Sequence, residues 1–425
     1  MDKIVSKLKK GLRGEIEIPA DKSISHRSVM FSSLAKGTSI IKNFSQGADC
    51  ISTMKMFKSL GVDIAQTGEK ELKVTSSGVL DNKTYKLDCG NSGTTMRLCS
   101  GLLASQNFNS LLYGDESLSK RPMMRVIKPL ELMGGKINSN EGKAPLEIIG
   151  SQLNGITYES PIASAQIKSC ILLAGLNANG STTVIEPYKS RNHTELMLEY
   201  MGANITSDEK TATITRSTLE PKELNIAGDI SSAAFFIVAG LVIPNSNIIL
   251  KNVGLNNTRT GIIDVVKRMG GNIEILSKSN ISGEDVGDIR ITHSELNGCE
   301  ISGADIPRLI DELPVIALLA TQANGTTVVR NAEDLRKKES DRITTIVNGL
   351  RSIGADIEEM PDGFVINGKT ELNGDAELEC FHDHRLAMTY YIAGLLCKKE
   401  ILIRGFEWVN ISFPEFEELI LKLAE

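Results

Sequence analysis

The chain has 425 residues, of which 41% are hydrophobic and 24% are charged, and its formal net charge is −6. This length exceeds a single core and indicates two or three domains, while the acidic balance argues against a general nucleic-acid surface. Seven cysteines without a Cys-x-x-Cys pair argue against a disulfide framework or a zinc knuckle. No segment resembles a secretory signal or a membrane span, so we expect a cytoplasmic protein.

One short pattern recurs six times along the chain: a polar cluster, an apolar helical run and a β-branched strand. The copies begin at Lys22, Asn91, Ser164, Ser231, Asp311 and Asp383. A second amphipathic helix with a glycine at its end follows most copies, as in LGVDI at residues 60–64, and short alternating strands come next. Self-similarity on this scale predicts one copied unit, which we interpret as β-α-β-α-β-β.

The ends of the chain predict how these units group into domains. The sixth copy has no closing strands, whereas the first residues contain two predicted strands that no helix precedes. We therefore expect an α/β fold of two domains with three units each, one formed by residues 1–20 with 229–425 and the other by residues 21–228. This arrangement predicts a double hinge and a ligand cleft between the domains. An open repeat solenoid is the alternative.

In the N-terminal half, cations and hydroxyl groups cluster where helices are predicted to begin. The segment PADKSISHR contains Lys22, Ser23 and Arg27, and CGNSGTTMR places glycines and hydroxyl groups before an apolar run. The loop ESLSKRPMMR adds Arg121, and SRNHT adds Arg191. Helix starts favour anions through free N–H groups and the helix dipole, although each segment alone also fits a solvated helix start.

In the C-terminal half, carboxylates join the cations. Asp311 begins one predicted helix, and KKESDR brings Lys338, Glu339 and Arg342 together. Asp311 could simply satisfy helix N–H groups, or it could take a proton from a substrate hydroxyl if it faces a cationic site. The segment FHDHR contains Arg385 and two histidines, for which a metal site is a weaker alternative. So many cations in one pocket would repel each other unless the substrates carry several negative charges.

The motifs of the chain resemble, in the same order and over nearly its whole length, those of the 5-enolpyruvylshikimate-3-phosphate synthase family. They are DKSISHR, GNSGTTMR, SLSKRPMMRV, SAQIKS, SRNHTE, IDELP, KESDR, DHRLAM and SFPEF. The resemblance implies the two-domain enolpyruvyl transferase fold with an inter-domain cleft. It also implies transfer of the enolpyruvyl group of phosphoenolpyruvate to the 5-hydroxyl of shikimate-3-phosphate, with loss of phosphate, in the shikimate pathway to chorismate and the aromatic amino acids. It implies no metal and no organic cofactor.

The same resemblance implies roles for individual residues. Shikimate-3-phosphate is expected to contact Lys22, Ser23, Arg27, Ser164, Ala165, Gln166, Arg191, Asp311 and Lys338. Phosphoenolpyruvate is expected to contact Lys22, Gly93, Arg121, Gln166, Arg342 and Arg385. Asp311 and Glu339 are expected to act as acid and base, with assistance from Lys22. We expect a monomer that binds these two small molecules and neither nucleic acid nor membrane.

Some positions distinguish subgroups and related families. Ala165 and Arg191 resemble the class II subgroup, and Ile411 stands where class I members have a phosphoenolpyruvate-binding lysine, so that role is not transferred. Gly93 predicts sensitivity to the inhibitor glyphosate. UDP-N-acetylglucosamine enolpyruvyl transferase, the nearest rival, has Lys-Asn where this chain has Lys22 and Ser23. RNA 3′-phosphate cyclase shares the unit, and a non-catalytic anion sensor is a further alternative.

Overall fold

The computed structural model describes residues 1–81 and 83–425, and these residues form α-helices and short strands throughout. The helices are α1 Lys22–Leu34, α2 Ala48–Ser59, α3 Gly93–Ala104, α4 Glu116–Lys120, α5 Met124–Leu132, α6 Ala165–Gly175, α7 His193–Tyr200, α8 Ile230–Val242, α9 Gly261–Arg268, α10 Asp305–Leu309, α11 Leu313–Thr321, α12 Arg342–Ser352, α13 His384–Leu396 and α14 Phe416–Ala424. Two 3-10 helices span Glu333–Lys337 and Phe406–Ile411.

The strands are short and lie between these helices. They are β1 Lys3–Val5, β2 Arg13–Glu17, β3 Gly37–Lys42, β4 Asp63–Gly68, β5 Glu71–Ser76, β6 Tyr85–Asp88, β7 Asn109–Tyr113, β8 Lys136–Asn140, β9 Lys143–Ile149, β10 Thr157–Glu159, β11 Ser181–Ile185, β12 Ile205–Ser207, β13 Thr211–Thr215, β14 Glu223–Asn225, β15 Asn247–Gly254, β16 Asn272–Ile275, β17 Ser279–Ile281, β18 Glu284–Thr292, β19 Leu296–Asn297, β20 Glu300–Ile301, β21 Ala323–Val329, β22 Ile357–Met360, β23 Gly363–Gly368, β24 Ala376–Glu379 and β25 Ile401–Arg404.

The described residues form six mixed sheets, as six copies of one unit predict. In the sheet with strand order β6-β7-β9-β8, β6 runs parallel to β7, and β9 runs antiparallel to both of its neighbours. The sheets β10-β11-β13-β12 and β14-β3-β5-β4 repeat this arrangement. A parallel pair requires a crossover helix, and α3 supplies it between β6 and β7. The predicted α/β fold class is therefore confirmed.

The N-terminal strands belong to sheets of the C-terminal half of the chain. Strand β1 pairs antiparallel with β25, so that Lys3 lies opposite Ile403. Strand β2 pairs parallel with β15, with Arg13 opposite Asn247. The sixth sheet thus takes its third strand from the other end of the sequence.

The chain divides into two compact units. The first unit contains Met1–Asp21, Ala227–Asn280 and Asp285–Glu425, and the second contains Lys22–Ile226 and Ile281–Glu284. Residues 281–284 lie where the hairpin of β17 and β18 turns, so the chain passes between the units four times.

Apolar helices form the interior of each unit. In the first unit every residue of α8 is buried, and Phe235 and Phe236 of this helix pack against Phe413 and Phe416 with ring centroids 5.8–5.9 Å apart. In the second unit α3 approaches the backbone of α6 at Gly101, where a Cβ atom would lie 1.9 Å from the Cys170 carbonyl oxygen. A side chain at this position would separate the two helices.

Several helices that carry the polar clusters begin with a side-chain cap. Ser92 Oγ accepts the Thr95 N–H at 3.1 Å, and Asp383 accepts the Arg385 N–H at 2.9 Å. Asp341 caps α12 in the same way through Thr344. Such caps satisfy free N–H groups at the helix start and so fix the first residues of the helix. Among the described residues, no helix has the length and apolar character that crossing a membrane requires.

Candidate active site

The start of α1 presents Lys22, Ser23 and Arg27 on one helix of the second unit. Lys22 Nζ lies 3.1 Å from Asp49 Oδ2, and both side chains are mostly buried. Arg27 is buried and donates to the Ser23 carbonyl at 2.9 Å and to the Thr194 hydroxyl at 2.7 Å. Arg27 therefore holds the helix start and α7 together as well as carrying charge.

The start of α3 is a second cationic position in the same unit. A Cβ atom built on Gly93 would lie 3.3 Å from Arg121 Nη1 and 3.4 Å from Arg97 Nη1, so two guanidinium groups lie beside the first residue of the helix. Arg121 also donates to Asn91 Oδ1 at 2.9 Å. The N–H groups of a helix start and two guanidinium groups form a strong anion site.

Gln166 connects this position to α6. Its Oε1 accepts from Arg97 Nη1 at 2.5 Å, and its Nε2 donates to Thr94 Oγ1 at 3.2 Å. These two bonds orient the amide, so Gln166 is held beside the Gly93 position. The motifs do not predict this pairing, because Arg97 and Gln166 lie on different helices.

Ser164 and Arg191 lie on two segments that meet at a buried carboxylate. The Ser164 N–H donates to Glu186 Oε1 at 3.1 Å, and the Ser190 N–H, next to Arg191, donates to Glu186 Oε2 at 3.2 Å. Ala165 is the first residue of α6. No motif pointed to Glu186, which follows β11 and belongs to no polar cluster of the sequence.

In the first unit, Arg342 connects three carboxylates. Its guanidinium lies 3.2 Å from Asp311 Oδ1, 2.7 Å from Glu339 Oε2 and 2.7 Å from Asp383 Oδ2. Lys338 Nζ lies 3.1 Å from the same oxygen of Asp311. Burial opposes the charged guanidinium, but Asp383, Glu339 and Asp311 outweigh this and raise the pKa of Arg342. The structure thus brings together Asp311, Lys338, Glu339 and Arg342.

Arg385 lies at the start of α13, beside the same cluster. Its backbone N–H donates to Asp383, which also binds Arg342, and its guanidinium lies 3.9 Å from Glu312 Oε1. Glu312 is fully buried and accepts from Ser231 Oγ. Asp383 and Glu312 hold these two arginines, a role that sequence reasoning did not assign.

The two histidines of FHDHR do not form a metal centre with acidic neighbours in the structure. His382 stacks on Trp408 with ring centroids 4.3 Å apart, and His384 is buried. Across residues 1–81 and 83–425, no group of three or more His, Cys, Asp or Glu side chains could hold a metal ion.

Taken separately, the two units offer different chemistry. The second unit offers cations, hydroxyl groups and helix N–H groups suited to phosphates and carboxylates. The first unit offers carboxylates of intermediate exposure, with Asp311 at 12% and Glu339 at 19%, beside cations. Carboxylates that remain accessible can exchange protons with a bound reactant.

A solved structure identifies the fold that this chain adopts. The enolpyruvyl transferase NikO from Streptomyces tendae superimposes with a TM-score of 0.81 over 100% of this chain and 97% of that chain, at 16% sequence identity. The fold is therefore that of the enolpyruvyl transferases, as the motifs implied.

Relatives with higher identity define the family within this class. An EPSP synthase from Acinetobacter baumannii is 40% identical, with a TM-score of 0.89 over 99% of this chain and 98% of that chain. The 3-phosphoshikimate 1-carboxyvinyltransferases of Bacillus pumilus and Bacillus subtilis are 52% and 49% identical over 419 residues, 97% of this chain and 98% of each relative. The model of the family described as EPSP synthase (3-phosphoshikimate 1-carboxyvinyltransferase) matches residues 7–420. The chain belongs to the EPSP synthase family, and this prediction is confirmed.

Proposed function

We propose that the chain transfers the enolpyruvyl group of phosphoenolpyruvate to the 5-hydroxyl of shikimate-3-phosphate and releases phosphate. Membership of the EPSP synthase family supports this reaction and its place in aromatic amino-acid biosynthesis. The structural observation that carries the proposal is the pairing of Asp311 and Glu339 with one buried arginine, Arg342. An anion-binding protein gains nothing from two carboxylates that repel its ligand, whereas proton transfer requires them.

Shikimate-3-phosphate is bound, in this proposal, chiefly by side chains and N–H groups of α1, α6 and the segment before α7. These residues are Lys22, Ser23, Arg27, Ser164, Ala165, Gln166, Arg191, Asp311 and Lys338. The fixed orientation of Arg27, through Ser23 and Thr194, supports this assignment, because a rigid guanidinium loses little entropy when it binds an anion. Lys338 and Asp311 lie 3.1 Å apart, so a substrate hydroxyl group can accept a hydrogen bond from the ammonium group and donate one to the carboxylate.

Phosphoenolpyruvate is bound, in this proposal, by a second set of residues, which shares Lys22 and Gln166 with the first. These residues are Lys22, Gly93, Arg121, Gln166, Arg342 and Arg385. The position of Arg121 beside Gly93 supports this assignment, since a small residue there leaves space for a phosphate or a carboxylate against the helix start. Arginine is suited to both groups because its fork of N–H donors matches their oxygens.

The chemical step is an addition followed by an elimination. A carboxylic acid protonates the methylene carbon of phosphoenolpyruvate while the 5-hydroxyl attacks C2 and gives its proton to a carboxylate. Loss of a proton from the new methyl group and departure of phosphate then restore the double bond as an enol ether. Asp311 and Glu339 exchange these protons, and Lys22 assists the leaving phosphate. The carboxylates stabilise the positive charge that develops at C2, and the arginines hold the phosphate and carboxylate groups of phosphoenolpyruvate in position for the attack.

A phosphate-release assay tests the proposal directly. Purified protein mixed with phosphoenolpyruvate and shikimate-3-phosphate is expected to release phosphate, and neither substrate alone should do so. UDP-N-acetylglucosamine in place of shikimate-3-phosphate serves as the control acceptor and is expected to give no release. Tight binding of both substrates by a folded protein without phosphate release would contradict the proposal and favour an anion sensor.

We further propose that the protein acts in the cytoplasm as a monomer and that glyphosate inhibits it. Its acidic net charge is consistent with small-molecule substrates rather than nucleic acid. Light scattering after size exclusion is expected to give a mass near 46.1 kDa. A mass twice as large at micromolar concentration would contradict the monomer.

A further inference from the structure

We propose that Glu186, together with Lys168 and Glu195, positions the backbone segments that bind shikimate-3-phosphate. The inference rests on the assignment of Ser164, Ala165, Gln166 and Arg191 proposed above. None of the three buried residues is expected to touch the substrate. Their role is to fix the spacing of the groups that do.

Glu186 joins two separate stretches of backbone. One carboxylate oxygen accepts the N–H of Ser164, directly before α6, and the other accepts the N–H of Ser190, directly before Arg191. The Glu186 side chain is 3% exposed, so water does not compete for these bonds. A carboxylate that accepts two N–H groups sets the distance between them, because both oxygens belong to one rigid group.

This position matters because α6 begins immediately after Ser164. The first backbone bond of this helix runs from the Lys168 N–H to the Ser164 carbonyl at 3.0 Å, so the N–H groups of residues 165–167 point toward the helix start. Those groups are suited to a phosphate only if the helix start is correctly oriented. Glu186 orients it through the Ser164 N–H.

Lys168 compensates the charge that this arrangement buries. Its Nζ lies 2.8 Å from Glu186 and 2.8 Å from Glu195, and it donates to the Ser190 carbonyl at 3.3 Å. Burial alone would lower the pKa of Lys168, but Glu195 and Glu186 outweigh this and raise it. The ammonium group therefore stays charged, and Ser190 is held at both its N–H and its carbonyl group.

A second set of buried contacts lies beside those of Glu186, Lys168 and Glu195. Ser169 and Thr194, the neighbours of Lys168 and Glu195 in sequence, are joined through their hydroxyl groups at 2.6 Å. Arg27 donates to both hydroxyl groups, at 2.9 Å to Ser169 and 2.7 Å to Thr194. The helices α1, α6 and α7 are thus connected as one polar network. Of the residues proposed for phosphoenolpyruvate, Gln166 alone lies on α6, and Arg97 and Thr94 of α3 hold its side chain. Loss of Glu186 should therefore raise the KM for shikimate-3-phosphate more than the KM for phosphoenolpyruvate.

The test is the variant Glu186→Gln, which keeps the shape of the side chain but replaces one acceptor oxygen with an NH₂ group. That group cannot accept a hydrogen bond, so the bond from the Ser164 N–H is lost or, with the amide turned over, the bond from the Ser190 N–H is lost and the NH₂ group faces the Lys168 ammonium. We expect the KM for shikimate-3-phosphate to rise about ten- to hundredfold, since bonds to a charged acceptor are lost. The KM for phosphoenolpyruvate and kcat should each change by less than about threefold. Glu220→Gln, an exposed residue paired with Lys222 in the same unit, is the matched control and should change neither KM.

A second variant covers the case in which Glu186→Gln does not fold. Glu186→Asp keeps the charge beside Lys168 but is one methylene shorter, so it cannot reach both N–H groups. It is expected to raise the KM for shikimate-3-phosphate in the same selective way. Equal increases in both KM values, or a lower melting temperature with both KM values unchanged, would overturn the positioning role.

Arg191→Ala separates this inference from the proposed site on which it rests. If Arg191→Ala raises the KM for shikimate-3-phosphate and neither Glu186 variant does, the positioning role is wrong and the site stands. If Arg191→Ala also leaves that KM unchanged, the proposed site is wrong and the inference falls with it. A selective increase in all three variants supports both.

Discussion

Arg342 joins carboxylates that lie far apart in the sequence. Its guanidinium binds Asp311, Glu339 and Asp383, which come from three different parts of the chain. The sequence predicted Asp311, Glu339 and Arg342 as site residues because they stand at helix starts and in matched motifs. It could not predict that Asp383 completes the set, because such long-range pairings depend on how the elements pack. Asp49 beside Lys22 and Glu186 beside Ser164 are further cases.

Asp311→Ala is expected to remove turnover while the protein stays folded. General acid–base groups contribute about 10²- to 10⁴-fold to rate, so kcat should fall at least by that factor. Steady-state kinetics measure the loss, and far-UV circular dichroism monitors the fold. The control is Asp264→Ala, which removes an exposed carboxylate paired with Arg308 in the same unit and should retain activity. Unchanged kcat in Asp311→Ala would contradict the catalytic role.

Gly93→Ala is expected to weaken the binding of both phosphoenolpyruvate and glyphosate. The added methyl group would lie 3.3 Å from Arg121 Nη1, so the guanidinium must move from its position at the helix start. The KM for phosphoenolpyruvate and the glyphosate inhibition constant should both rise, whereas the KM for shikimate-3-phosphate should not. Gly68→Ala, on a strand of the same unit, is the matched control. An unchanged inhibition constant in Gly93→Ala would exclude the steric explanation.

Individual helices are placed by polar contacts that their own sequence does not reveal. His26 of α1 lies 2.6 Å from Thr53 of α2, Thr53 lies 2.6 Å from Thr95 of α3, and Thr95 donates to Ser92 at 2.7 Å. This chain of contacts aligns the starts of α1 and α3, where Lys22 and Gly93 lie. The apolar periodicity predicted that these helices exist. It could not show which faces meet, because serine and threonine in a helix are equally common on solvated faces.

The buried imidazole of His26 is expected to make stability depend on pH. Burial, together with Lys22 and Arg27, holds the pKa of His26 well below its ordinary value of 6.5. The unfolded chain therefore binds a proton below pH 6.5 that the folded protein does not, and the free energy of unfolding decreases as the pH falls below that value. The contribution of one such group reaches about 1.4 kcal/mol per pH unit.

Urea denaturation at pH 5 and pH 7 measures this effect. His26→Gln should flatten the dependence of stability on pH, because the titrating group is gone. Thr53→Val is the matched control: it removes the hydroxyl partner but keeps the imidazole, so it should lower stability at both pH values and leave the slope in place. The same slope in His26→Gln and the unmodified protein would refute the assignment.

For the whole molecule, the motif that recurs six times predicted the six sheets, and the matched motifs predicted the family. The path of the chain at the crossings is harder to predict. Arg259 is buried and binds Asp21 at 3.1 Å and Asp229 at 3.0 Å, so it joins the segments next to the first two crossings within the first unit. No sequence pattern distinguishes this arginine from a solvated one, since its partners lie more than 200 and about 30 residues away along the chain.

Arg259→Met is expected to destabilise the first unit. It leaves two buried carboxylates without their cation, and breaking buried pairs in this way costs about 3–5 kcal/mol. Trp408, the single tryptophan of the chain, lies in the first unit, so its fluorescence during urea denaturation monitors that unit. Arg290→Met removes an exposed arginine paired with Glu274 in the same unit and should shift the transition little. Equal shifts in the two variants would show that the buried pairs do not stabilise the unit.

The hairpin turn at residues 281–284 has a practical consequence for work with isolated fragments. Ser282 Oγ accepts the Asn225 N–H at 2.9 Å, and Glu284 lies 2.6 Å from the buried imidazole of His193. A gene fragment that encodes only residues 22–226 omits both partners, so His193 loses its contact with the Glu284 carboxylate and Asn225 loses its bond to Ser282. Expression of this half on its own therefore calls for a graft of those four residues, for example as a short peptide extension at the carboxyl terminus.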